Sequence, residues 1–299
     1  MRFFFIFSLF TNIITAYSQV ICDGKIVMPT VELNYCNPNW ALIFNDDFND
    51  DSLNTNYWSI QEGVVRDPIF NDQKGWLDKS NIQVKDGILN VSTNQKPLET
   101  HCFDIWIDNG MQQYCDDFEF TCGEIWTEEY FEYGMFEARI KIPSGKGLWP
   151  AFWLFGGNPH YNEIDIFEFR YDDTKDHNMD VHFDPDFFGN LSCQTDYKGP
   201  DFSKDFHTFG LIWTPSYIQW TVDGKIMRTD YKYYSLLGQV INCDIKAGEM
   251  VIMNLNFPSD PMQLILNVAI QANEDAPDNK TIFPNSMEID WVKVYKMEL

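Results

Sequence analysis

The chain has 299 residues, 44% of them hydrophobic and 16% aromatic, enough for a sizeable core in one large domain. A formal charge of −24 argues against a nucleic-acid partner, an anionic membrane surface or a sulfated polymer as ligand.

Met1 to Ser18 reads as a secretory signal peptide: Arg2 supplies the positive start, Phe3 to Phe10 the apolar run and Ala16-Tyr17-Ser18 a small-x-small cleavage signal. The apolar run is too short to span a bilayer, and no later stretch is long and apolar enough to do so. The expected protein is therefore extracellular, with no membrane anchor. Seven cysteines follow: Cys22, Cys36, Cys102, Cys115, Cys122, Cys193 and Cys243. In an oxidising compartment most should pair, and the odd count leaves one over. Their spacing does not suggest zinc. Asn90-Val91-Ser92, Asn190-Leu191-Ser192 and Asn279-Lys280-Thr281 are glycosylation sequons.

After an N-terminal segment, residues 19–39, the stretch 40–299 shows many short strand patterns split by Gly, Pro, Asn and Asp, and no long helical period. Residues 133–142 alternate best, with Phe136, Ala138, Ile140 and Ile142 on one face and Glu137, Arg139 and Lys141 on the other. Asp223-Gly224 between two strand-like runs predicts a two-residue hairpin. Met287 to Tyr295 reads as a closing strand. About a dozen such strands predict an all-β chain folded as one β-sandwich.

Two stretches carry chemistry. In Gly147-Leu148-Trp149-Pro150-Ala151-Phe152-Trp153-Leu154-Phe155-Gly156, alternation puts Trp149 and Trp153 on one face. Asn162-Glu163-Ile164-Asp165-Ile166-Phe167-Glu168-Phe169 sets three carboxylates in a run otherwise suited to a buried strand. Buried charges are costly unless paired or used. Glu163 and Asp165 share a face, and a β-bulge near Ile166-Phe167 would bring Glu168 to the same side. Ile164 and Ile166 would then enter the core, and Phe167 would be taken up by the bulge. Two Glu side chains so placed could lean to roughly 5–5.5 Å, the carboxyl separation of a retaining glycosidase. Indoles beside acids suit a sugar, whose C–H faces stack on rings. The polysaccharide is the expected partner, with Trp149 and Trp153 as platforms, and Arg139 either contacts substrate or pairs with a carboxylate.

This pattern resembles glycoside hydrolase family 16, in its bulged E-x-D-x-x-E branch, which includes laminarinases (endo-β-1,3-glucanases). The likeness runs from about Phe44 to Tyr295 and takes in Tyr133 to Pro143, Asp205 to Phe209, Ile218 to Gly224, Leu264 to Ala269 and Ile289 to Tyr295. It implies jelly-roll topology with one sheet forming a concave cleft. By the same resemblance Glu163 is the nucleophile, Glu168 the acid/base and Asp165 the residue that holds Glu163. His182 matches a cleft histidine that could bond Glu168 or the leaving sugar. The family needs no cofactor for catalysis but often carries a structural calcium. The matching positions are Asp290, the Gly87 carbonyl and Asp47, where Glu is commoner. Residues 93–123, with three cysteines, read as a stapled loop over one end of the cleft. The expected activity is a secreted, monomeric endo-β-1,3-glucanase. A β-galactanase of agarase or carrageenase type, a transglycosylase and a non-catalytic β-glucan-binding protein are the alternatives.

Overall fold

In the strand Gly134–Lys141 the side chains of Phe136, Ala138 and Ile140 are buried and Glu137, Arg139 and Lys141 face outward, as their alternation requires. That strand sits inside one of two large sheets whose apolar faces pack together. The structure, a computed structural model, describes residues 24–29, 33–34, 38–65, 73–107, 110–157, 160–170, 172–184, 191–241 and 244–298. The expected signal peptide, residues 1–18, lies outside them, as do Cys22, Cys36, Cys243 and Asn190.

The outer sheet runs in the order Lys225–Tyr231, Tyr217–Val222, His207–Trp213, Gly134–Lys141, Asn285–Glu298, Ile88–Ile107, Gly110–Cys122 and Gly75–Leu77. The inner sheet runs Leu191–Ser192, Asp176–Asp184, Tyr161–Glu168, Leu148–Gly156, Gln263–Ile270, Glu124–Thr127 and Trp58–Ile60. Successive stretches of chain cross between the two, giving the β-sandwich of jelly-roll topology. Among the described residues there is no α-helix, only two short 3-10 turns. Strands are more numerous than the sequence suggests, because two- to four-residue strands are too short to print an alternation. Two of them, Gly24–Val27 and Leu33–Asn34, come from the segment before Trp40 and pair with Val251–Asn254 and Asp244–Ile245.

The core between the sheets is built largely of Phe, Trp, Ile and Leu. Phe152, Phe167 and Phe209 are fully buried in it. Each such side chain contributes about 1.5–3 kcal/mol relative to leaving it in water. The Asp223-Gly224 turn has φ of +49° and +73° and joins Val222 to Lys225, the two-residue hairpin its sequence predicts.

Residues 93–123 depart from expectation. They belong to one long antiparallel hairpin, Ile88–Ile107 with Gly110–Cys122, in which Cys102 faces Cys115 and the two form a disulfide. Polar residues on both faces hide the strand period, since the hairpin projects past the sandwich. Its inner side closes on Val65, Trp76, Phe103 and Phe118. The edge of the cleft is made by Gln61, Val64, Gln73 and Leu77, and Tyr114 and Asp116 to Phe120 of the hairpin line a second pocket that shares Gln73 with it. Cys193 is also disulfide-bonded, and Cys122 is a buried thiol.

Candidate active site

The inner sheet turns its second face outward over a cleft of about 490 Å³, lined by Trp126, Trp149, Trp153, Tyr161, Glu163, Glu168, Arg170 and His182 among others. The strand Tyr161–Glu168 crosses its floor. Against Leu148–Gly156, Trp153 pairs with Asp165 and Phe152 with Phe167, so Ile166 is the extra residue. On the other side Asp165 pairs with Asp180 and Glu168 with Asn178, leaving Ile166 and Phe167 opposite one residue. This is the bulge that the spacing requires, and it carries Glu163 and Glu168 to the cleft. Both bulge residues go into the core: Ile166 is buried, and Phe167 stacks against Phe209 at 4.5 Å rather than being lost in the irregularity. Trp220, from the opposite sheet, donates its indole N–H to the Asp165 carbonyl at 2.8 Å and anchors the bulge from behind.

Asp165 is 2% exposed, and burial, then the charges of Glu168 and Glu163, hold its carboxyl well above the ordinary carboxylate range. Among the described residues the nearest donor to one of its oxygens, Oδ2, is His182 Nε2 at 3.5 Å. The second carboxylate facing that nitrogen, Asp180 Oδ2, is nearer at 3.2 Å. Burial opposes the charged imidazole, but the bonds to Asp165 and Asp180 and the charges of Asp165 and Glu163 lift it to about 11. Asp165 and Asp180 thus face the same imidazole nitrogen from two sides, Asp180 the nearer. In the sheet His182 stands opposite Glu163.

Glu168 Oε1 accepts from Trp149 Nε1 at 2.9 Å and from Arg170 Nη2 at 3.0 Å. The Arg170 guanidinium also lies 3.7 Å above the Trp149 ring. The arginine therefore covers one face of Trp149, so this indole orients Glu168 more than it offers a stacking platform. Trp153 donates to Asn267 Oδ1 at 3.0 Å and packs with Phe155 on the cleft floor. Tyr161 donates its hydroxyl to Glu163 Oε2.

Sequence reasoning missed Tyr161, Arg170 and Trp126. The signal for all three is the alternation already in use. Tyr161 is two residues before Glu163, Arg170 two after Glu168, and Trp126 two after Glu124, to which it donates at 2.6 Å.

Arg139 is not in the cleft. It lies on the outward face of the other sheet, where its Nη1 bonds Asp290 Oδ2 and its guanidinium sits 4.7 Å over Phe206. The facing positions Arg139 and Trp291 are in register, which brings Asp290 alongside. Of the two readings of Arg139, pairing with a carboxylate is the one observed. That contact bears on the calcium positions. Calcium takes six to eight oxygens with uncompensated negative charge. Here Asp290 is already neutralised by a guanidinium, and Gly87 serves the two-residue turn between Lys85 and Ile88, where Asp86 and Gly87 have φ of +53° and +76°. Asp47 is exposed. These donors do not fit a calcium site of high affinity. Among the described residues, Glu163, Asp165 and His182 are the one group of acidic, Cys or His side chains close enough to share a cation, within 4.8 Å.

Comparison with known proteins agrees with this geometry. The profile of glycosyl hydrolases family 16 matches residues 76–293. Over 273 residues the chain is 29% identical to a glucan endo-1,3-beta-glucosidase of Cryptopygus antarcticus, covering 85% of this chain and 91% of that protein. It is 28% identical over 282 residues to glucan endo-1,3-beta-glucosidase A1 of Niallia circulans, covering 85% of this chain but only 38% of that longer protein. The laminarinase catalytic domain from Thermotoga maritima superposes with a TM-score of 0.67 at 28% identity, covering 87% of this chain and all of that one.

Proposed function

The chain belongs to glycosyl hydrolases family 16, and on that premise we propose that it is a secreted, endo-acting, retaining β-glycanase whose substrate is a β-1,3-glucan. The observation that carries the proposal is the bulge that sets Glu163 and Glu168 on one cleft face with Asp165 between them. Similarity to the glucan endo-1,3-beta-glucosidases of Cryptopygus antarcticus and Niallia circulans supports the choice of a β-1,3-glucan.

In this reading the unit is a single catalytic sandwich, residues 40–299, that acts as a monomer after removal of residues 1–18. Glu163 attacks the anomeric carbon while Glu168 gives its proton to the leaving oxygen. Glu168 then takes a proton from water, which breaks the glycosyl-enzyme bond. Tyr161 holds one oxygen of Glu163 and so orients the carboxylate for attack. Asp165 beside it, whose burial disfavours the charged form, limits the negative charge that would otherwise build up among three acids. Trp149 and Arg170 hold Glu168 at its work, and Trp153 and Trp126 offer apolar surface to the sugar rings.

Reducing-end release from laminarin, lichenan, agarose and carrageenan tests the substrate. Laminarin should be cut internally, giving a ladder of oligosaccharides, and at least about tenfold faster than either galactan. Faster turnover of agarose or carrageenan would reverse the assignment, and binding of laminarin without any release would make the protein a glucan receptor. Calcium is not part of the proposal. Chelation should leave the melting temperature within about 1 °C, and a fall of about 5 °C or more would restore the ion to the site at Asp47, Gly87 and Asp290.

A further inference from the structure

Asp180 has no place in the two-carboxylate chemistry, yet it is the most heavily bonded acid near the cleft. It lies on Asp176–Asp184, directly opposite Asp165, and is 4% exposed. A carboxylate so buried is costly unless its lone pairs are met. Here they are. Oδ1 accepts from the Val181 amide at 2.7 Å and the Cys193 amide at 2.9 Å. Oδ2 accepts from Ser192 Oγ at 2.8 Å and faces His182 Nε2 at 3.2 Å.

The surroundings fix this arrangement. Ser192 is brought in by the pairing of Leu191–Ser192 with Asp176–Asp184. Arg228, from the outer sheet, donates to the carbonyls of Met179 and Cys193 on either side of Asp180 and clamps the two segments together. Its remaining donors go to Asp230, so Arg228 ties backbone here and does not neutralise Asp180. The charged groups that face His182 are Asp180 from its own strand and Asp165 and Glu163 from the neighbouring one.

From this geometry we propose that Asp180 is a positioning residue for the reaction: it holds His182 as a fixed imidazolium beside Asp165 and Glu163, the two cleft acids on the neighbouring strand. Four donors on one buried carboxylate make a stable anion, and burial of that anion is outweighed by the His182, Ser192 and Val181 bonds, which hold its carboxyl below the usual range. With Asp180 in place the cation at His182 is balanced locally and its ring is fixed opposite Glu163. The inference rests on the glycosidase reading for its effect on rate, but its electrostatic half is observable without substrate.

The test is Asp180→Asn, which keeps the shape and removes the charge. In the unaltered protein the His182 imidazole signal, assigned by its loss in His182→Gln, should stay in the protonated position in NMR spectra through pH 9. In Asp180→Asn it should titrate at least one pH unit lower. On laminarin the variant should lose roughly tenfold or more in kcat at pH 8, recover part of it at pH 5, and change KM less than about threefold. A purely structural role would lower kcat equally at both pH values and leave the His182 titration where it was, and that outcome would overturn the proposal. Ser192→Ala removes one hydrogen bond without touching a charge, and should move the titration in the same direction by less. Should Asp180→Asn fail to fold, Ser192→Ala and the unaltered protein decide. A His182 that titrates near neutrality in the unaltered protein contradicts the inference even if the enzyme proves to be a glucanase.

Discussion

Glu163→Ala is expected to lose four to six orders of magnitude in kcat on laminarin, roughly 5–8 kcal/mol of transition-state stabilisation. The loss comes from removing the nucleophile while the acid remains. The space left by the carboxylate faces the cleft, so azide can enter from that side. With an aryl β-laminaribioside bearing a good leaving group, azide should displace the aryl group in one inversion and give the α-azide. Glu168→Ala should behave differently. The nucleophile is intact, an activated substrate still forms the glycosyl-enzyme, and azide intercepts it with a second inversion to give the β-azide. Proton NMR of the adducts reads the difference. The β-product from Glu163→Ala, or the α-product from Glu168→Ala, means that the two roles are exchanged.

The second large effect concerns stability and acid. His177, on the strand beside the candidate nucleophile and acid/base, is 1% exposed and boxed by Phe169, Tyr197, Phe202 and Phe209. Among the described residues neither ring nitrogen has a close hydrogen-bond partner, and burial alone pushes the imidazole down to about 4. An unfolded histidine titrates near 6.5. Between those values the unfolded chain takes up a proton that the folded protein refuses. Stability from this residue is therefore fully present above about pH 6.5 and is lost as the pH falls toward 4. The full loss is about 3 kcal/mol, of which about 2 are gone by pH 5. His177→Phe removes the titration and keeps an aromatic ring in the box. Urea unfolding at pH 7 and pH 5 should show a drop about 2 kcal/mol smaller in the variant than in the unaltered protein. Equal drops in the two proteins would mean that His177 is charged or solvated in the folded state. The comparison is a difference of differences, so strain from the slightly larger ring cancels.

Much of the sandwich is legible in the sequence wherever a strand is exposed on one face and buried on the other. Gly134–Lys141 is such a strand, and so is the Asp223-Gly224 hairpin. The long hairpin around Cys102 and Cys115 is not, because its apolar side is marked by little more than Leu98, Phe103 and Phe118 among exposed polar residues. The three acids could be read because charge in an apolar run is costly enough to demand a purpose, and the extra residue in their spacing has only one geometric resolution. Asp180 and His182 carry the same signature, acid and base two apart on a neighbouring strand, but no spacing in the chain says which strand stands beside which. Arg139 was ambiguous for the same reason: alternation tells which face a side chain takes within its sheet, not which of the two sheets bears the cleft. Arg170 shows the converse, since a residue two beyond Glu168 must share its face, and its stacking over Trp149 changes what that indole can do.

The account turns on Glu163 becoming covalently attached to sugar. A 2-deoxy-2-fluoro β-laminaribioside with a dinitrophenyl leaving group slows both steps but spares the first, so the glycosyl-enzyme should accumulate. Peptide mass spectrometry after digestion should find the added sugar on Glu163, within the peptide that also holds Glu168. Attachment at Glu168, or stoichiometric release of dinitrophenol with no adduct on the protein, would contradict the mechanism.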